Sequence, residues 1–230
     1  MATVPVAFLV SALACASAET IPTEVYITMK VGDHETHFAI PETYLRFPQN
    51  RKGGEQDIVE LSVSLPDVHS DFSDNYLPAI DPVVSVDGIP QFREQTRILL
   101  MRGRPYVQRL FRQDIEAMTN DTGRKMFGLR VFTYTRDLPN KSANGYFRDS
   151  VFYLIPPKDS YDNGQYFECY SQTFVDRCRG WANYNESLYY QYYFARDNLE
   201  HWRVLDTNVR ALLEQFERRA KLAKHPSGGE

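Results

Sequence analysis

Cysteine is scarce in this chain: three of its 230 residues are Cys, and tryptophan is scarcer still, with two. Cys15 stands near the N-terminus, while Cys169 and Cys178 lie close together towards the other end. Two thiols with no histidine at ligand spacing make a poor zinc site, so no metal and no other cofactor is expected. The signatures of several enzyme classes are missing as well: there is no G-x-S-x-G, no H-E-x-x-H and no glycine-rich phosphate loop. Five histidines leave a hydrolase open without supporting one. His34 and His37 are three apart on an expected strand and so point to opposite faces, which is wrong for a shared ligand. No apolar run reaches the ~20 residues that a spanning helix needs.

What is present begins with residues 1–18, MATVPVAFLVSALACASA, which carry no charged side chain. The apolar run Val4–Ala16 and the small-x-small site Ala16-Ser17-Ala18 read as a signal peptide, although a basic N-terminal region is lacking. A periplasmic or secreted protein is therefore expected, with a single domain over 19–224 and a disordered tail over 225–230. Cys15 follows Ala12-Leu13-Ala14, a poor match to a lipoprotein box, so a lipid anchor there is the weaker reading. Export leaves Cys169 and Cys178 as an even pair in an oxidising compartment, where a disulfide is the default.

The net charge of −4 is unevenly spread. Glu19–Pro90 holds 13 acidic and 4 basic residues, and Gln91–Arg136 holds 4 acidic and 10 basic ones. Opposed blocks of this kind pair within one fold, and an exported acidic protein has little reason to meet nucleic acid. Between 66 and 90 the chain is rich in Asp, Ser and Pro without periodicity, and reads as a long acidic surface loop that includes Asp71 and Asp74. Its acidic spacing fits no calcium loop. Sequons occur at Asn120, Asn140 and Asn185.

Glu24–Val31 and His34–Ile40 read as a hairpin around Gly32-Asp33, and 57–65, 96–101, 126–134 and 149–155 as further strands. Asp57–Leu65 alternates so that Ile58, Glu60, Ser62 and Ser64 oppose an apolar set, the pattern of a half-buried strand. Val107, Leu110, Phe111, Ile115 and Met118 follow helical spacing from Pro105, with Asn120–Gly123 as the expected stop. Gln165–Gln172 and Arg177–Tyr184 read as antiparallel strands stapled by Cys169 and Cys178. Eight residues between these cysteines argue against a redox pair, which favours C-x-x-C at a helix start. In SLYYQYYFAR, Leu188, Tyr190, Tyr192 and Phe194 form the expected core face. Tyr189 and Tyr193 take the other, either beneath a helix or on a surface for a partner. With Trp181, Asp71 and Asp74, these two tyrosines are the candidate partner-binding residues. Asp206 is placed to cap the last helix, whose apolar stripe is Val209, Leu212, Leu213, Phe216 and Ala220, with Arg210, Glu214, Glu217, Arg218 and Lys221 in water. The fold expected is α+β: an antiparallel or mixed sheet with two helices, the C-terminal one amphipathic and packed on the sheet.

Two patches carry a resemblance to uncharacterised exported proteins of Gram-negative bacteria. One is FAIPETYL (Phe38–Leu45) with SLPDV (Ser64–Val68). The other is the Cys169–Cys178 hairpin with LEHW (Leu199–Trp202) and DTNVRALLEQF (Asp206–Phe216). Some proteins resembling this group neutralise toxins of rival bacteria. That implies an exported, non-enzymatic binding protein, an immunity protein in its most concrete form, whose partner is a toxin or an envelope component. It transfers no catalytic residue. The alternatives are an exported hydrolase and a structural envelope lipoprotein.

Overall fold

A computed structural model describes residues 23–66, 68–70, 84–86, 89–91, 94–103, 119–134, 150–155, 165–171 and 177–224. The leader with Cys15, the acidic residues Asp71 and Asp74, the 105–118 helix, Asn140 and the tail lie outside these residues.

The N-terminal hairpin forms where the alternation and the Gly32-Asp33 turn put it. Strands β1 (Glu24–Val31) and β2 (His34–Pro41) pair antiparallel from Val31↔His34 to Glu24↔Pro41. Gly32 takes the positive φ that this tight turn needs (φ 61°). A one-turn helix, α1 (Pro48–Arg51), precedes the short β3 (Gly54–Glu55), which joins β1 in parallel. The Asn50 carboxamide then bridges to β4 (Ile58–Leu65), donating to the Ile58 carbonyl and accepting from the Glu60 amide.

A nine-stranded antiparallel sheet forms the body. The remaining strands are β5 (His69–Ser70), β6 (Val84–Val86), β7 (Ile89–Gln91), β8 (Glu94–Arg102), β9 (Thr119–Met126), β10 (Leu129–Tyr134), β11 (Ser150–Ile155), β12 (Tyr166–Ser171), β13 (Arg177–Asn183) and β14 (Leu188–Ala195). Their order is β5-β4-β8-β14-β13-β12-β11-β10-β9, while β6 and β7 pair separately. From β9 to β14 the chain is a meander, and β8 returns beside the last strand to tie β4 to it. Cys169 and Cys178 face each other across β12 and β13 and are bonded.

A six-residue 3-10 turn, Arg196–His201, runs into α2 (Trp202–Lys224), the long C-terminal helix. Its stripe Val209, Leu212, Leu213, Phe216 and Ala220 is buried, and Trp202 and Leu205 extend it one turn earlier than the spacing predicts. These side chains pack against Tyr190, Tyr192 and Phe194 of β14, Phe167 of β12 and the apolar face of the hairpin (Ile27, Met29, Phe38, Ile40) in one core. The Trp202 and Phe167 rings meet edge-on at 5.5 Å, and Phe216 and Tyr44 at 5.1 Å. At about 1.5–3 kcal/mol for each large apolar side chain taken from water, the stripe alone contributes on the order of 10 kcal/mol before the entropy of ordering is subtracted.

Four expectations are corrected. Asn120–Gly123 does not stop a helix; it lies within β9, where Gly123 (φ 68°) sits at a register shift against β10. The stretch 126–134 is not one strand, because Phe127-Gly128 turns between Met126 and Leu129. Strand β4 is not half-buried: beyond the exposed Ile58, the polar set Glu60, Ser62 and Ser64 is buried as well as the apolar one, though less completely. Asp206 is not a cap: α2 starts four residues earlier, and the carboxylate faces β14.

Candidate binding face

The antiparallel register of β12, β13 and β14 sorts the aromatic residues into two sets. Cys178↔Phe194, Gly180↔Tyr192 and Ala182↔Tyr190 face α2; Arg179↔Tyr193, Trp181↔Gln191 and Asn183↔Tyr189 face the other way. Tyr189 and Tyr193 thus point away from the helix. Both are half-buried, as is Trp181 between them on the neighbouring strand.

On this second face the rings form a continuous stack. Tyr166 lies over Trp181 at 5.9 Å between centroids, and Trp181 over Tyr189 at 6.0 Å. Gly103 abuts the Tyr189 ring so closely that any side chain there would displace it. Beside the stack runs a row across five strands in which two cations flank a tyrosine and a carboxylate closes each end: Glu60 on β4, Arg97 on β8, Tyr193 on β14, Arg179 on β13 and Glu168 on β12. Arg97 and Arg179 both lie over the Tyr193 ring, at 5.7 and 5.9 Å, and Arg179 also covers Trp181 at 5.0 Å. Each cation has its own carboxylate: Arg97 pairs with Glu60 at 3.4 Å, and Arg179 binds Glu168 through both Nε and Nη2. The Tyr193 hydroxyl accepts from the Gln191 amide.

Burial and charge pull against each other here. Burial raises the Glu60 carboxyl above its ordinary range, and Arg97 offsets only part of this. Burial would lower the Arg179 guanidinium, but Glu168 outweighs it and the net shift is upward. Burial also raises the phenols of Tyr189 and Tyr166, the latter aided by the nearby Glu168 charge. Trp181 Nε1 is buried and lacks a hydrogen-bond partner. The described part of the face is therefore aromatic, with each of its two stacked cations matched by a carboxylate. Among the described residues no cluster of three His, Cys, Asp or Glu is placed to hold a metal ion.

The helix side holds a second polar group. Tyr190 donates to Asp206 Oδ1 at 2.8 Å, and the buried Tyr192 hydroxyl and Gln165 carboxamide lie close to the same carboxylate. Burial raises the Asp206 carboxyl despite the Tyr190 bond and the nearby Arg210. Arg210, expected in water, reaches the carbonyls of Asn183 and Tyr184, and Glu217 accepts from the Tyr184 hydroxyl. The same β13–β14 turn is closed by Asn185, whose Oδ1 accepts from Ser187 and Leu188 and whose amide donates to Thr36.

No family model and no curated protein matches the chain. Among solved structures, the fold resembles an immunity protein of the Stenotrophomonas maltophilia type IV secretion system, with a TM-score of 0.51 over 84% of this chain and 93% of that one. The likeness is one of fold. Sequence identity is 13%. The chain has the α+β architecture, the disulfide-stapled hairpin and the packed C-terminal helix. A disulfide fits an exported protein. Among the described residues no helix is long and apolar enough to cross a membrane.

Of the candidate residues, Trp181, Tyr189 and Tyr193 are brought onto one face, and Asp71 and Asp74 lie outside the described residues. Sequence reasoning missed the roles of Arg179, Glu168 and Glu60, and did not bring Arg97 to them, because β4 and β8 lie far along the chain from the β12–β13 hairpin. It also missed Phe127. A glycine between two alternating runs, at Gly128, was the available signal for that turn.

Proposed function

We propose that this chain is an exported binding protein of the immunity type, acting in the periplasm or outside the cell, which neutralises a toxin by covering part of it. The observation that carries this reading is the fold likeness to an immunity protein over most of both chains. The leader pattern and the disulfide support export. Trp181, Tyr189 and Tyr193 are proposed to contribute to the contact, because half-buried, pre-stacked aromatic rings offer a large area at little cost in side-chain entropy. Asp71 and Asp74 are proposed to extend it with negative charge.

Affinity purification of the tagged protein from its native host tests the role. The expected result is one stoichiometric partner whose toxicity is suppressed when the two are co-expressed. A Trp181→Ala/Tyr189→Ala variant that keeps the wild-type melting temperature should bind it at least about tenfold more weakly. Absence of a partner, combined with robust hydrolysis of a substrate panel, would overturn the proposal.

A further inference from the structure

The tip of the β9–β10 hairpin is built at odds with local preference. Met126 and Leu129 pair directly, which leaves Phe127 and Gly128 as a two-residue loop, and both have positive φ (49° and 81°). Loops of this kind favour Asn or Gly at the first position; a bulky residue there is strained. Phe127 nevertheless occupies it with 49% of its surface exposed. The ring contributes no core packing that offsets the strain, and a strained, exposed aromatic side chain points to a function rather than to folding.

The turn is also held in place. Trp202 Nε1 donates to the Phe127 carbonyl at 3.1 Å, which fixes the hairpin tip to the start of α2. Arg203, whose guanidinium lies over the Trp202 ring at 4.4 Å, comes up against Gly128. The next residue, Val204, is 53% exposed. The tip itself is basic: Arg124 to Arg130 contains Arg124, Lys125 and Arg130 and no acid, and Arg203 at the start of α2 adds a fourth cation. Arg124, Lys125 and Arg203 are exposed and make no ion pair among the described residues. This differs from the second face of the sheet, where each cation in the row is matched. A net-negative chain that leaves unmatched cations around an exposed ring is complementary to a recess lined by carboxylates.

We infer that the β9–β10 tip, with Phe127 at its centre and Arg124, Lys125 and Arg203 around it, docks into an acidic, apolar-floored recess on a protein partner. The inference rests on the binding role proposed above and names a contact separate from the aromatic face. Phe127 enters the recess, and the cations speed the encounter and set its orientation.

Site-specific photo-crosslinking in the full-length protein tests it, with p-benzoylphenylalanine placed in turn at Phe127, Tyr189 and the exposed Tyr26 in the native host. The expected result is a crosslink from position 127 to a carboxylate-rich segment of one protein, lost in an Arg203→Glu/Lys125→Glu background. The purified pair should then show a split that a purely structural residue cannot produce. Phe127→Gly relieves the backbone strain and raises the melting temperature by about 2–8 °C, yet weakens binding at least about tenfold. Crosslinks from position 189 or 26 without one from 127 would overturn this contact and leave the binding role standing. No crosslink from any position would remove both. Nucleic acid or lipid captured at 127, or unchanged affinity in Phe127→Gly, would also refute it.

Discussion

Gly180 is the position at which the helix-side packing is most easily challenged. It pairs with Tyr192 across β13 and β14, and a Cβ added there would sit 2.7 Å from Tyr192 Cζ, 2.9 Å from Cε1 and 3.0 Å from the hydroxyl oxygen. The ring cannot retreat freely. It is fully buried, with Tyr190 stacked on one side at 6.2 Å and Phe194 on the other at 5.7 Å. Gly180→Ala therefore forces a large ring to move within a close-packed core, a perturbation that costs about 1–3 kcal/mol. For a chain of this size that corresponds to a fall of roughly 2–12 °C in melting temperature, measured by circular dichroism. A double-mutant cycle identifies the cause. Tyr192→Leu destabilises on its own but leaves room for the new methyl group, so Gly180→Ala should cost markedly less in the Tyr192→Leu background. If Gly180→Ala melts with the wild type, or if the two effects add without coupling, the close approach of strand and ring is not what restricts this position.

Two further outcomes follow from the staple and the buried carboxyl. The Cys169–Cys178 bond joins residues nine apart in sequence, and the chain-entropy estimate for so short a loop is about 2.7 kcal/mol. Reduction, or Cys169→Ser/Cys178→Ser, should lower the melting temperature by roughly 5–11 °C, and an unchanged melt would show that the bond adds no constraint. Burial raises the native-state pKa of Asp206 above its ordinary value, so the folded protein holds this proton more tightly than the unfolded chain does. Its contribution to stability is then fully present below the unfolded pKa and is lost as pH rises through the native value. Asp206→Asn removes this dependence while leaving a carbonyl to accept from Tyr190. Urea unfolding should therefore show the variant gaining on the wild type between pH 3.5 and pH 7; a constant difference would mean that Asp206 does not titrate in this way.

Local signals reported local structure well. The alternation in EVYITMKV and HETHFAI, with Gly32-Asp33 between them, placed the first hairpin to within a residue, and the spacing Val209, Leu212, Leu213, Phe216, Ala220 placed the helix face. Position along an element misled where a neighbour decided the outcome. Asp206 has the chemistry of a helix cap, yet Trp202 and Leu205 find apolar partners in the core, so the helix begins earlier and carries the carboxylate inward to Tyr190. Glu60, Ser62 and Ser64 alternate like solvent-facing residues, but lie on a face that the folded chain buries. Phe127 disguised a turn, because an aromatic residue next to a glycine reads as strand continuation when the glycine's φ is unknown.

The sequence by itself determined the periods: which stretches extend, which one coils, which residues share a side, and which two cysteines remain to pair. These follow from the geometry of the chain over a few residues. Only the tertiary structure decided what each side meets. Placing β8 between β4 and β14 joins Glu60, Arg97, Tyr193, Arg179 and Glu168 from segments far apart in the chain into one row, and turns Tyr189 and Tyr193 away from α2. Such rows arise from the register between strands, where a shift of one residue exchanges the faces, and that register is set by long-range burial that no local pattern contains.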